Sequence, residues 1–366
     1  MTHKTLRICY VANIRLPTEK AHGVQIMKTC EALVGQGHDV ELLVPDRKTA
    51  IVEDAFAYYG VSKRFSIRRL PVWDTVQYGR IGFLFESLSF ARAVRRYLRE
   101  TTFDVIYGRD ELVLAQLDEP YIWESHTGAW NPATQKVARR ARCIVVITQG
   151  LKNFYVAQGI PSEKIIVAHD GVDLEQFAHP ESKKAARERL GLPLDARIAM
   201  YVGRLDGWKG TETLLEAASY MPNILLAMIG GDAAEVAGLS RRYPNARFLG
   251  NRPYRELADN MAAADVLVLP NTGKDEISVK FTSPLKLFAY MTSGIPIVAS
   301  DLPSIREILD ERAAYLVPPD DSLALAEGIE RAIVGGNTRA TEALKRVEEY
   351  SWKHRAERIL AAGATM

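Results

Sequence analysis

The feature that most restricts what this chain can fold into is a strand–helix–strand unit that appears near the start and then begins afresh halfway along. Leu6–Ala12 (LRICYVA) is a short apolar run that reads as a buried strand. After the loop NIRLPTEKAHG, Val24, Met27, Cys30, Ala32 and Leu33 recur at helical spacing. Gly35 and Gly37 close that helix, and Asp39–Val44 forms the next strand. Such a unit joins parallel neighbours, so it calls for a sheet covered on both faces. The pattern continues at Asp104–Tyr107, Tyr121–Trp123, Cys143–Ile147 and Ile165–Ala168. It restarts at Ile198–Val202, with a helix expected over Thr211–Ser219 and further strands at Leu225–Ile229, Val266–Leu269 and Ile297–Ala299.

Two series of this kind in 366 residues predict two doubly wound domains, with ligands at the C-terminal ends of the strands. Asp173–Arg197, with its charged SKKAARERLGL, reads as the connection, and YSWKHRAERILAA (Tyr350–Ala362) as a terminal helix. Lys and Arg total 47 against 45 Asp and Glu, a net charge of +2 that argues against a nucleic-acid partner. No apolar run approaches the ~20 residues that span a bilayer. Met1–Arg7 leads into the first strand with no signal-peptide pattern, and Cys9, Cys30 and Cys143 form no paired motif. A cytoplasmic protein is therefore expected.

The chemistry concentrates in two stretches. In YVGRLDGWKGTETLLEA (Tyr201–Ala217), Gly203 permits a tight turn after the strand, Arg204 and Lys209 place two cations in it, and Gly210 opens a helix. Helix N-termini favour anions, and a guanidinium beside an ammonium suits a diphosphate. The plainer reading is a βα turn with two surface cations. It has neither the Gly-x-Gly-x-x-Gly spacing of a dinucleotide site nor a P-loop ending. In FTSPLKLFAYMTSGIPIVAS (Phe281–Ser300), Ser283 and Pro284 look like the N-cap and first residue of a helix running from Leu285 to Thr292, with Thr282 and Lys286 beside that end. An ordinary capped helix is the alternative.

Together these stretches resemble the family 4 glycosyltransferases, retaining and metal-independent enzymes of GT-B fold. GRLDGWKG is similar to that family's donor-phosphate motif, DGVDLEQF (Asp170–Phe177) to the segment ending its first domain, and GHDVELLVP to its second strand. RFLGNRPYRELADNMAAADVLVLP (Arg247–Pro270) resembles the stretch that lines the nucleotide base and ends in a buried Asp, here Asp265. SPLKLFAYMTSGIPIVAS resembles the Ser-Pro-x-Lys segment. The resemblance implies two Rossmann-like domains facing a central cleft, an acceptor domain over residues 1–180 and a donor domain over 181–349, with residues 350–366 packing back on the first. It implies sugar transfer from a nucleoside diphosphate sugar to a glycan or lipid-linked acceptor, with Arg204 and Lys209 stabilising the departing diphosphate. Gly203, Thr282, Ser283, Pro284, Leu285, Lys286, Asn251 and Arg252 would line the donor, and Gly23, preceding a helix, would lie near its phosphates. His126, in WESHTGAW, would contact the sugar or position the acceptor, although a histidine after a strand can also be structural. No cofactor is implied, and the chain has no Asp-x-Asp motif for a metal.

One position departs from the pattern. Ala289 stands where the family has the second glutamate of its Glu-x7-Glu pair, which holds the donor ribose, and Phe281 stands near the first. Losing a charge-assisted hydrogen bond costs about 1.5–3 kcal/mol. Either the ribose is held otherwise or a Glu→Ala change has been introduced, and the surrounding LFAYM favours the latter. Ala289 keeps open a catalytically impaired nucleotide-sugar-binding protein. The other alternative, a nucleotide-sugar 2-epimerase of the same fold, needs a carboxylate and histidine set that the sequence does not present. Residues Gly60–Glu100 carry nine basic against three acidic residues. There Leu84, Leu88, Ala91, Val94 and Leu98 form one helical face, with Arg92, Arg95, Arg96 and Arg99 largely off it. That helix is a candidate for peripheral contact with an anionic membrane, or equally a core helix with a solvated arginine face.

Overall fold

The computed structural model describes residues 4–62, 64–205 and 209–365; Lys63 and the Asp206–Trp208 part of the cation-bearing turn lie outside the described residues. The chain divides into two compact units. Unit 1 runs to His169, apart from Thr148–Gly150, and takes in the chain again from Trp352; unit 2 holds Thr148–Gly150 and Asp170–Ser351.

In unit 1 seven strands form one parallel sheet: β1 (Arg7–Val11), β2 (Asp39–Pro45), β3 (Ser66–Leu70), β4 (Val105–Gly108), β5 (Ile122–Ser125), β6 (Cys143–Val146) and β7 (Ile165–Val167). Their order is β3-β2-β1-β4-β5-β6-β7. The inner strands are almost wholly buried, the continuous apolar runs that a sheet covered on both faces requires. The helix Ala21–Gly35 crosses over between β1 and β2 and packs against the terminal helix Trp352–Thr365. The C-terminal helix thus returns to the first unit, as expected.

Unit 2 repeats the plan with β8 (Arg197–Val202), β9 (Ile224–Ile229), β10 (Ala246–Phe248), β11 (Val266–Leu269), β12 (Ile297–Ser300) and β13 (Tyr315–Val317), in the order β10-β9-β8-β11-β12-β13. Both sheets reverse their winding next to the first strand of the unit, between β1 and β4 and between β8 and β11. The outer ends of those strands are where doubly wound sheets bind ligands.

Three differences from the sequence reading matter. The unit boundary falls at Asp170, not after residue 180: Val172 donates its N–H to the Tyr350 carbonyl and bridges Ser351, both in unit 2. Asp173–Arg197 is accordingly part of unit 2 and not a connection; in its helix Lys183–Leu190, Arg187 is buried and bonds the Ala263 carbonyl and Asp265. In the helix Gly79–Glu100 the expected single apolar face is split, with Ala91, Val94 and Leu98 buried while Leu84 and Leu88 are exposed.

Candidate functional site

In unit 2 the candidate donor residues gather at the C-terminal end of β8. Gly203 has φ +139°, and a Cβ placed there would come within 2.4 Å of the Lys286 ammonium, so the strand end and the lysine tip share one small space. Lys286 Nζ lies 3.7 Å from the centre of the Tyr201 ring and is buried without a hydrogen-bond partner among the described residues. Burial, reinforced by the charge of Lys209, holds the ammonium well below its usual titration range. Tyr201 in turn donates from its hydroxyl to the Arg204 carbonyl at 2.6 Å, tying the strand to the turn. Arg204 is exposed and Lys209 half-buried. Gly210, at φ +67°, passes so close to the Pro270 carbonyl at the end of β11 that a Cβ would sit 1.7 Å from its oxygen. Only glycine fits there, and the helix Thr211–Ala217 starts from it.

The Ser283 region does not form the cap expected of it. The helix begins at Leu285 with Pro284 as the flanking residue and no side-chain cap. The Ser283 hydroxyl instead accepts from the Asp170 N–H at 3.1 Å, and Thr282 and Ser283 are both buried. Ala289 is packed among Leu287, Phe288, Tyr290 and Met291 in the apolar core, 1% exposed. From the same helix, Tyr290 uses its hydroxyl to accept from the Val202 N–H, fixing the strand just before Gly203. Asn251 and Arg252 are exposed and follow Gly250, which bridges Gly230. Asp265 is half-buried and structural, pairing Lys183 and Arg187 at 2.8 Å each and accepting from the Ile198 N–H.

Unit 1 carries a cavity of about 610 Å³ at the mouth of its own strand reversal, lined among others by Arg15, Lys20, His22, Arg47, Arg109 and His126. His126 leaves the end of β5 two residues after Glu124, so both side chains emerge on one side of the strand. Their contact, His126 Nε2 to Glu124 Oε1, is 2.5 Å. The buried Glu124 carboxylate also accepts from Gln25, from the Tyr107 hydroxyl and from Arg355 Nη2 at 2.8 Å. Burial opposes its charge, but Arg355 and His126 win and hold the carboxyl far below the usual range. An ionised acceptor at Nε2 keeps the imidazole proton there and leaves Nδ1 as an acceptor. Burial and then the nearby Arg109 push the His126 pKa down to about 4, so the ring is neutral at pH 7.

Gly23 lies inside the first turn of the helix Ala21–Gly35, not ahead of it. A Cβ there would meet the Tyr59 hydroxyl at 2.2 Å, and that hydroxyl is bonded to both the N–H and the carbonyl of Thr18. Packing accounts for this glycine within unit 1. The sequence reading passed over Tyr201, Glu124 and Arg355. For Glu124 the signal was present, since an acid two residues before a histidine at a strand end shares its face.

A family model described as Glycosyltransferase Family 4 matches residues 22–176, and one described as Glycosyl transferases group 1 matches residues 196–334. Among curated proteins, one named as the teichuronic acid biosynthesis glycosyltransferase TuaC of Bacillus subtilis is 30% identical over 162 residues, 44% of this chain and 39% of that protein. A D-inositol 3-phosphate glycosyltransferase of Corynebacterium urealyticum is 29% identical over 233 residues, 56% of this chain and 52% of the relative. The chain therefore spans about half the length of these relatives or less. Among solved structures, a sucrose-phosphate synthase from Thermosynechococcus elongatus superposes with a TM-score of 0.80 at 20% identity, covering 98% of both chains. Anabaena HepE in complex with UDP and glucose does so at 0.78 and 17%, covering 99% of this chain and 100% of that one. Likeness at such identities is one of fold, here the GT-B fold.

Proposed function

The chain belongs to the family 4, or group 1, glycosyltransferases, and on that premise we propose that it moves a sugar from a nucleoside diphosphate sugar to a glycan or lipid-linked acceptor, with retention and without a metal. The observation that carries this reading is the Lys286 ammonium, buried, without a hydrogen-bond partner among the described residues and pressed against the Gly203 turn. An ammonium kept from water is costly unless an anion completes its surroundings. Arg204 and Lys209 border the same turn, and a diphosphate is the ligand that three such cations suit.

Breaking the anomeric bond leaves positive charge on the sugar and concentrates negative charge on the departing diphosphate. Cations already in place when that charge develops lower the barrier without reorganisation, in a site where the effective dielectric is low. In the usual retaining scheme the diphosphate then takes the acceptor proton on the same face. Arg204 would bind the diphosphate in two-pronged fashion and Lys209 and Lys286 as point charges. In unit 1, the neutral His126 would use its free ring nitrogen to orient an acceptor hydroxyl in the cavity. The HepE complexes make a uridine donor the first to test.

Arg204→Ala and Lys209→Ala are expected to lower transfer at least a hundredfold, about 3 kcal/mol of barrier, with an unchanged circular dichroism spectrum. Donors are screened first by thermal shift with UDP-, GDP- and ADP-sugars. Near-normal turnover in both variants would refute the clamp. A sugar-nucleotide binder is the second reading, favoured by Ala289 standing in apolar packing where the family has a glutamate. Tight donor binding with no hydrolysis or transfer would select it.

A further inference from the structure

Within unit 1 the helix Gly79–Glu100 buries one face, through Phe90, Ala91, Val94 and Leu98, and leaves a second apolar stripe in solvent. Ile81, Leu84, Phe85 and Leu88 recur at i, i+3, i+4 and i+7, and they are 71%, 43%, 52% and 42% exposed. Trp73 and Tyr78, on the turn leading into the helix, are about as exposed as Ile81, at 68% and 71%. That turn is built, not loose. Trp73 donates its N–H to Ser89 Oγ at 3.0 Å, and Thr75 Oγ1 donates to the Gly82 carbonyl at 2.7 Å. The segment that carries the aromatic rings is thus tied to the helix by hydrogen bonds.

Continued along the same face, the stripe changes from apolar to cationic: after Leu88 come Arg92, Arg96 and Arg99, all exposed. Glu86, the acid within the apolar half, is fully buried and takes a hydrogen bond from Asn13. Arg96 has a loose pair with Glu100 at 3.7 Å. Among the described residues no acidic group on this face pairs more closely with the arginine row. No helix among the described residues is long and apolar enough to cross a membrane, so the face does not belong to a span. A helix whose start, with the turn before it, presents tryptophan, tyrosine and apolar side chains and whose far end presents guanidinium groups fits the boundary between acyl chains and anionic headgroups.

We propose that unit 1 docks on an anionic lipid surface through this face, with Trp73, Tyr78, Ile81, Leu84, Phe85 and Leu88 entering the acyl boundary and Arg92, Arg96 and Arg99 lying on the headgroups. Val76 and Phe83, from the same turn and helix, line the 610 Å³ cavity that also holds His126. Docking therefore sets the cavity mouth against the lipid surface, where an acceptor can leave its hydrocarbon tail in the bilayer and offer its polar head. That consequence rests on the acceptor role proposed above; the docking itself is measured without turnover, so the two can fail separately.

The test is co-sedimentation of the whole chain with phosphatidylcholine vesicles, plain or carrying about 30% phosphatidylglycerol, at low salt and at about 0.5 M salt. Binding is expected to anionic vesicles at low salt, to weaken with salt, and to fall at least tenfold in Ile81→Ser/Phe85→Ser. Each of Arg92→Gln, Arg96→Gln and Arg99→Gln is expected to lower partitioning up to about fivefold. A blue shift of tryptophan emission on adding vesicles should disappear in Trp73→Phe. All these side chains are exposed, so unchanged circular dichroism and melting will verify the fold of each variant. No sedimentation of the wild type at low salt, or equal sedimentation of Ile81→Ser/Phe85→Ser, overturns the proposal. So does a wild type that self-associates through this face without binding vesicles.

Discussion

Lys286 lies where water is excluded, and this has a thermodynamic signature that does not depend on catalysis. Burial and then Lys209 hold its pKa below the ordinary 10.5. A bound diphosphate restores favourable surroundings to the ammonium and raises that pKa again. Between the depressed value and 10.5 the free protein lacks a proton that the complex has, so binding takes up a proton and affinity falls as pH rises. Calorimetric titrations of UDP in two alkaline buffers of different ionisation enthalpy should give binding heats that differ accordingly. In Lys286→Gln the difference should shrink by the lysine's share. Equal heats for the wild type would mean that the lysine is not the anion's partner. Arg204 and Lys209 were legible as candidates because cations beside a strand-end glycine form a recognisable pattern, and Lys286 because it stands beside the start of a helix. What the pattern did not contain was the Tyr201 ring beneath the lysine, since that contact joins side chains far apart in sequence.

At the scale of elements, the turn between β8 and its helix depends on two close approaches of backbone, at Gly203 and Gly210. Gly210→Ala combines a left-handed φ with a Cβ driven into the Pro270 carbonyl. The φ alone costs about 1–3 kcal/mol, and the collision must push the turn away from β11. Urea melting of unit 2 should shift to lower denaturant by at least that amount, and transfer should fall along with it because Lys209 moves with the turn. A variant as stable as the wild type would show that the turn can relax freely. The central strands and their crossover helices were readable because both faces are buried and their residues run almost uninterrupted in apolar character. Of the four edge strands only Ile165–Val167 was. Ser66–Leu70 (SIRRL), Ala246–Phe248 (ARF) and Tyr315–Val317 (YLV) each pair with one neighbour only, and their short or polar sequences carry too little pattern to mark a strand. The helix Gly79–Glu100 misled for a different reason. Its period was correctly read, but two apolar stripes overlap in one sequence, and periodicity alone does not say which of them meets the core.

Over the whole molecule, unit 1 is discontinuous: the chain leaves it at His169, builds unit 2 and comes back at Trp352. The sequence resemblance gave the return of the last helix but not its purpose, which rests on Arg355. This residue, 5% exposed, donates to Glu124, to the Thr29 hydroxyl at 3.3 Å and to the His169 carbonyl at 3.1 Å, joining β5, the first helix and the end of the first pass of the chain. Removing one member of a buried ion pair strands the other in a medium that solvates it poorly, at a cost of about 3–5 kcal/mol. Arg355→Ala should therefore lower the melting of unit 1 while leaving that of unit 2 in place, a separation that differential scanning calorimetry can resolve. Arg355→Met combined with Glu124→Gln removes both charges and should restore much of the loss; if it is no better than Arg355→Ala, the defect lies in packing and not in the stranded carboxylate. The same reasoning applies to a fragment ending at His169. It retains all seven strands of its sheet yet lacks the cation for Glu124 and the helix that covers Ala21–Gly35. Such a fragment should exchange its β5 amides far faster than the full chain does, and adding a peptide of residues 350–366 should slow that exchange only when Arg355 is present.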